Sequence, residues 1–452
     1  MRYKSCRLLE HGIYFYLDPG SKQLCVGHCC NTDNLELSDR LYLYSDLKNQ
    51  NLSWDYIFEE KRKLRENAKN GIYPSQCDGC FELVERDWDD DDYINHLTAG
   101  HIMKCNSRCV YCPIGRIPDC HNREQDVDMK PIVEELLEKN LLRYNGSLRF
   151  VGGEPTLMKE FDWLVDLFSK NNVPEIYVPT SGIRLSKSLC KALEKVSAAA
   201  IVASVDSGTK ETFEKVKGTK FFNIVQKNMA IYLKHAKEKN FVISKFILFT
   251  NYNDSAFEIE AWLKNCHKQG YVEVQFDSEH SVSSSEHCEN KKYVNRTLRM
   301  LDYTERLAEK YNIKVTSYLA FMNRAKKIYE QQVACIDKFK YSNINFEDFD
   351  ENKLDEIVRN EEFSPKRRVK MTISKPIIDI ETDKLKAILR LGFDFDIEIK
   401  NYISSHILDE IIKTSYSNIV YLKGKNNLLN LFKINRLKNK YKKMIKLSKI
   451  EF

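Results

Sequence analysis

Between residues 96 and 280 the chain alternates short apolar runs with amphipathic stretches. Leu97–Met103, Leu148–Val151, Glu175–Val178, Ala199–Val205, Val242–Phe249 and Val272–Phe276 read as strands buried on both faces. Between them, Pro131–Asn140, Glu160–Ser169, Leu185–Lys195, Lys220–Lys234 and Ser255–Gln269 carry apolar residues at helical spacing. Strands alternating with helices predict parallel βαβ units. Asn312–Leu319 reads as a further strand, and residues 280–300, rich in Ser and Asn, as a loop.

Both flanks carry their own patterns. At the start, Gly12–Leu17 reads as a strand, and Trp54–Asn67 has helical periodicity. The acidic run Asp87–Asp92 then reads as a solvated linker, which sets off a small N-terminal unit over residues 1–92. The alternating region is assigned to 93–325, followed by a charged helical or irregular linker over 326–366. A second βαβαβα series fills 367–452, with strands at Lys370–Ile380, Phe393–Ile399 and Asn418–Leu422 and helices at Thr382–Leu391, Tyr402–Thr414 and Asn426–Leu447. No Gly-x-Gly-x-x-Gly follows a strand there, so nothing supports nucleotide binding in that unit. The terminal helix is basic from Arg436 to Lys449, which reads as a solvated face.

Composition narrows the class. The net charge of +6, from 71 Lys and Arg against 65 Asp and Glu, falls short of the concentrated basic charge of a nucleic-acid binder. No apolar run reaches the roughly 18 residues of a membrane span, and the start lacks a charged-then-apolar leader, so a cytoplasmic protein is expected. Fourteen cysteines in a reducing compartment point away from structural disulfides. Nine of them precede residue 113, which suggests metal or cluster ligation.

The candidate chemistry begins at Cys105-Asn-Ser-Arg-Cys109-Val-Tyr-Cys112. Three thiolates at this spacing can hold three corners of a [4Fe–4S] cube and leave the fourth iron open. A tetrahedral zinc site would want a fourth ligand and usually shows paired Cys-x2-Cys units. Downstream, Leu148-Arg-Phe-Val runs into Gly152-Gly153-Glu154-Pro155, and a later apolar strand ends in Ser204-Val-Asp206.

In this order the motifs resemble the radical S-adenosylmethionine (radical SAM) superfamily, over roughly residues 95–320. The resemblance implies a partial (β/α)6 TIM-like barrel with its site at the C-terminal ends of the strands. It implies Cys105, Cys109 and Cys112 as cluster ligands, with S-adenosylmethionine chelated at the open iron. Tyr111 stands where the family places an aromatic against the adenine. Gly152, Gly153 and Pro155 belong to the turn that faces the methionine moiety, with Glu154 accepting from its ammonium. Ser204 and Asp206 match a segment that faces the ribose or carboxylate; a plain helix N-cap is the other reading. Thr180-Ser181-Gly182 stands where many relatives carry Thr-Asn-Gly, with Ser181 in place of the Asn. Reductive cleavage would give methionine and a 5′-deoxyadenosyl radical that abstracts hydrogen from a substrate. An electron donor such as flavodoxin or ferredoxin is implied as a partner.

Cys25, Cys29, Cys30, Cys77 and Cys80 form a second set, in which Cys77-Asp-Gly-Cys80 is a metal-type Cys-x2-Cys. The set resembles a SPASM or twitch extension, although such extensions usually follow the barrel and this one precedes it. An auxiliary [4Fe–4S] cluster, structural zinc and no metal are the three readings; His28 could replace a thiolate in a zinc site but reads as a solvated loop histidine. Cys6, Cys120, Cys190, Cys266, Cys288 and Cys335 are isolated and read as small hydrophobes or surface thiols. Relatives with such extensions suggest a peptide or protein substrate; a small molecule or glycoconjugate is the equal alternative. An RNA-modifying enzyme would want a broad basic, aromatic-studded face, which is not evident. A non-catalytic iron–sulfur protein would not need the intact cluster and Gly-Gly-Glu-Pro motifs.

Overall fold

The computed structural model describes residues 2–17, 24–29, 54–74, 77, 80, 82–112, 128–249, 252–278, 291–317, 343–345, 368–373, 394–399 and 420–422. The sequence-predicted C-terminal helices and Cys30, Cys120, Cys288 and Cys335 lie outside these residues. The chain divides into one unit of residues 1–205 and 217–244 and another of 206–216 and 245–452.

In the first unit the segments are β1 (Arg2–Ser5), α1 (Arg7–His11), β2 (Gly12–Leu17), β3 (Leu24–Gly27), α2 (Trp54–Lys69), β4 (Val84–Asp87) and β5 (Ile94–Gly100). Then come α3 (Lys130–Glu138), β6 (Leu142–Phe150), α4 (Phe161–Lys170), β7 (Glu175–Thr180), α5 (Lys187–Lys195) and β8 (Ala198–Ser204). After α6 (Lys210–Lys217) follow α7 (Phe222–His235) and β9 (Val242–Leu248), which crosses into the second unit at Lys245.

The main sheet of the first unit runs β3-β2-β5-β6-β7-β8. From β2 to β8 the pairings are parallel; only β3 is antiparallel. All seven residues of β5 are buried, as a central strand covered on both faces requires. Helix α4 buries Phe161, Leu164, Val165 and Phe168, and the Phe161 ring sits 4.8 Å from that of Phe150. Ser186 caps α5 by accepting from Leu189 N and itself donates to Asp162 of α4 at 2.6 Å.

Every strand and helix expected between residues 96 and 280 is present, with β5 beginning three residues earlier than the apolar run implied. In the second unit, α8 (Ala256–Gln269), β10 (Glu273–Ser278), α9 (Lys291–Glu309) and β11 (Lys314–Thr316) continue the alternation, α9 beginning inside the stretch expected to be a loop. A separate parallel sheet runs β12 (Asn343–Asn345), β13 (Arg368–Ile373), β14 (Asp394–Ile399) and β15 (Val420–Leu422). Its strands follow the expected C-terminal series, and β12 adds one from the segment expected to be a linker.

The N-terminal segment differs from the expected stand-alone unit. Its strand β2 lies parallel to β5, Gly12 opposite His96 through Tyr16 opposite Gly100. Gly12-Ile-Tyr-Phe-Tyr is apolar enough to be covered on both faces, and Ile13 and Phe15 are fully buried. The acidic run is tied down as well. Asp92 pairs with the buried Arg65, Asp90 with Lys69 at 2.9 Å and Asp91 with Arg143 at 3.2 Å. The buried Trp88 within the run donates its indole N–H to Tyr3 O at 3.0 Å.

A buried histidine makes the seam between β5 and β6 sensitive to acid. His96 Nδ1 is 2.8 Å from Ser147 Oγ, and burial, with Arg7 and Arg149 adding, brings the ring pKa down to about 3. The unfolded chain therefore takes up this proton first as pH falls. Stability is lost between about pH 6.5 and 3, by up to about 1.4 kcal/mol per pH unit. Urea melts at pH 7 and pH 4.5 should show a smaller acid loss for His96→Gln than for the wild type.

Candidate active site

The strand β5 leads directly into the three-cysteine loop. His101, Ile102 and Met103 are buried, and Cys105, Cys109 and Cys112 are half-buried. None of the described cysteines is in a disulfide. The loop backbone is held at several points by residues distant in sequence.

The first hold is the Gly-Gly-Glu-Pro turn. Gly153 N donates to Ile102 O at 2.8 Å and Glu154 N to Lys104 O at 2.9 Å. Gly152 has φ +95°, and a β-carbon on Gly153 would come within 2.5 Å of Lys104 O. The two glycines thus let the turn lie directly against the backbone leading to Cys105. The resemblance turned these glycines toward a cofactor; in the structure they serve an approach of chain to chain. Pro155 opens a buried 3-10 turn over Pro155–Leu157.

Glu154 is the second hold. Its side chain is buried, and Oε1 accepts from Thr156 Oγ1 at 2.5 Å and Thr180 Oγ1 at 2.7 Å. Oε2 accepts from Ser181 N at 2.6 Å. The carboxylate therefore joins the end of β6 to the end of β7. A carboxylate has about four acceptor positions, so Oε2 retains capacity for one more donor. Ser181 Oγ in turn donates to Asn106 Oδ1 at 2.9 Å, inside the cysteine loop. Ser181 thus reaches the loop even though it replaces the expected Asn.

The third hold was missed in the sequence. Lys217 is buried; its carbonyl accepts from Arg108 N at 2.8 Å, and its Nζ donates to Tyr111 Oη at 3.1 Å. The same ammonium stands 5.5 Å from the Tyr111 ring centroid. A lysine in a polar stretch gives no periodic signal, and only the fold brings it to the loop. Below the loop, buried His101 and Glu160 meet at 2.8 Å, and Glu160 also accepts from Met129 N.

The remaining predicted residues are placed as follows. Ser204 ends β8, half-buried. Asp206 belongs to the second unit, where it is buried with φ +56°. Its Oδ1 accepts from Ile247 N at 2.7 Å, and its carbonyl accepts from Asn253 at 2.8 Å.

Burial, reinforced by Glu154 and Cys109 nearby, pushes the Cys105 thiol up to about 12. A metal reverses this by taking the thiolate form directly. Among the described residues no three His, Cys, Asp or Glu side chains are already drawn together as around an ion. In number and donor chemistry, three reduced thiols on one braced loop fit an iron–sulfur cluster with an open iron.

Residues 101–261 match the family model described as the radical SAM superfamily. The chain is 32% identical over 161 residues to a GTP 3′,8-cyclase of Clostridium botulinum (strain Hall), covering 34% of this chain and 49% of that protein. A GTP 3′,8-cyclase of Haemophilus influenzae (strain PittEE) is 30% identical over 165 residues, 36% of this chain and 48% of the relative. The chain therefore spans about half the length of these curated relatives. Among solved structures, Streptococcus suis SuiB bound to the precursor peptide SuiA matches with a TM-score of 0.40 and 14% identity, covering 73% of this chain and 75% of that one.

If the two glycines serve close approach, Gly153→Ala should displace the backbone at Met103 and Lys104. A loss of about 1–3 kcal/mol is expected from overpacking. A lowered melting temperature, with less iron bound after anaerobic reconstitution, checks this.

Proposed function

We propose that the chain is a radical SAM enzyme, of the superfamily whose model residues 101–261 match, that cleaves S-adenosylmethionine reductively to abstract hydrogen from a substrate. The observation that carries this reading is the loop of Cys105, Cys109 and Cys112, held by Gly153, Glu154 and Lys217. A [4Fe–4S] cluster bound there would supply the electron that releases methionine and a 5′-deoxyadenosyl radical.

The chain's own residues bind and orient. Cys105, Cys109 and Cys112 supply three thiolates. The remaining acceptor position of Glu154 Oε2 suits the methionine ammonium, and Gly152 and Gly153 hold that turn against the backbone leading to Cys105. Tyr111, fixed by Lys217, offers its ring to the adenine, with a cation–π partner already in place. Ser181, Ser204 and Asp206 are the remaining candidates for contacts to the cosubstrate. The second cysteine set is read as an auxiliary metal centre, and a flavodoxin or ferredoxin as electron donor.

The substrate reading favoured is a peptide or protein. It is supported by what the chain carries outside the matched segment: an N-terminal cysteine set and a C-terminal parallel sheet. A small molecule is the second reading, favoured by the likeness to GTP 3′,8-cyclases over the matched segment. In either case a cytoplasmic site of action is proposed.

Reconstituted, reduced protein given S-adenosylmethionine should release 5′-deoxyadenosine, and Cys105→Ala should abolish the release. No release from protein with a full iron complement would sink the enzyme reading. Lys217→Met should keep the iron yet weaken S-adenosylmethionine binding several-fold, read by equilibrium dialysis.

A further inference from the structure

Cys6 reads in the sequence as an isolated thiol, yet the fold brings it to the second cysteine set. It caps α1, and its sulfur accepts from Leu9 N at 3.4 Å. Cys29 and Cys77 pack against the cluster formed by Cys6, Leu8 and Leu9. Cys80 follows Cys77 in a tight turn, with Cys80 N donating to Cys77 O at 3.0 Å and Cys77 N to Pro74 O at 2.9 Å. It is also close enough for its charge to act on the Cys6 thiol.

Cys25 goes elsewhere. It is buried in a different cluster with Tyr14 and Tyr16, against which Val151 packs. Its place in β3 opposite Tyr16 fixes it to that side.

Lys61 adds a second, independent observation. Its side chain is fully buried, and its Nζ donates to Leu9 O at 3.2 Å and Leu8 O at 3.5 Å, in the turn opened by Cys6. A buried cation is costly unless negative charge lies nearby, and Glu10 and Cys6 both stand close enough to act on it. Four thiolates around a metal leave a net negative centre, which a lysine in this position would balance.

We propose that Cys6, Cys29, Cys77 and Cys80, and not Cys25, are the four thiolate ligands of the N-terminal metal centre. The inference rests on the reading of the N-terminal cysteines as a metal site and supplies its ligand set. Tetrathiolate ligation serves both an iron–sulfur cluster and zinc. The metal would draw the four sulfurs together as it binds.

The test uses the full chain with Cys105→Ala, Cys109→Ala and Cys112→Ala, so that the loop site contributes nothing. One portion is reconstituted anaerobically with iron and sulfide, the other with zinc. About four irons or one zinc per chain is expected. Adding Cys6→Ser should remove the metal, and adding Cys25→Ser should leave it. Metal retained with Cys6→Ser, metal lost with Cys25→Ser, or no metal in either portion would overturn the assignment. Should Cys6→Ser fail to fold, alkylation of the folded protein decides. Cys6, Cys29, Cys77 and Cys80 should be shielded together until a chelator is added, with Cys25 unaffected by it. Labelling of Cys6 at the same rate with and without metal would refute its role. Metal content is read without S-adenosylmethionine turnover, so this test and that of the catalytic reading fail separately.

Discussion

The structure around the cysteine loop depends on one buried carboxylate. Glu154 is only 1% exposed, and a charge so buried is tolerated only when its acceptor positions are filled. The fold occupies all but one of them: Thr156 and Thr180 donate to Oε1, and the backbone N–H of Ser181 donates to Oε2. Charge-assisted bonds of this kind are roughly twice as strong as neutral ones. They lock the turn after β6 to the end of β7. Because Glu154 N and Gly153 N donate to the backbone at Lys104 and Ile102, the same lock fixes where the loop departs from β5. Removing the carboxylate would therefore loosen three strand ends at once.

Lys217 does the corresponding work on the far side of the loop. Its carbonyl fixes Arg108, next to Cys109, and its ammonium fixes Tyr111, next to Cys112. The loop is thus held through its backbone at Lys104 and Arg108 and through the side chains of Asn106 and Tyr111, while the cysteines remain half-buried. A loop that must hold a large inorganic cluster has this requirement. Its backbone has to be in place beforehand, since each ordered residue costs about 1–2 kcal/mol of conformational entropy. The sulfurs must still adjust when the metal arrives.

The period of apolar residues made the alternating region legible, because parallel strands covered on both faces are continuous apolar runs. The motifs made the cysteine loop and the glycine turn legible, because their chemistry is local. What could not be read was long-range. Nothing in Lys217 announces that it meets Tyr111 106 positions away. Nor does the short apolar run at Gly12 say that it will lie beside β5 instead of forming a separate unit. The acidic run looked like a solvated linker because its countercharges, Arg65, Lys69 and Arg143, come from other elements. Cys6 looked isolated because its neighbours are 23 and 71 or more positions downstream.

The place of β2 bears on how an N-terminal metal centre could matter to the loop. β2 begins one residue after α1, the helix that Cys6 caps, and it pairs along its length with β5, which ends five residues before Cys105. The two cysteine sets of the first unit are therefore anchored on adjacent, parallel, hydrogen-bonded strands. Parallel pairing also points the C-terminal ends of β2 and β5 the same way. Tyr14 and Val151, packed together around Gly100, lie along that shared edge. Because Cys6 precedes the N-terminal end of β2 and Cys105 follows the C-terminal end of β5, the two cysteine sets are attached at opposite ends of this strand pair.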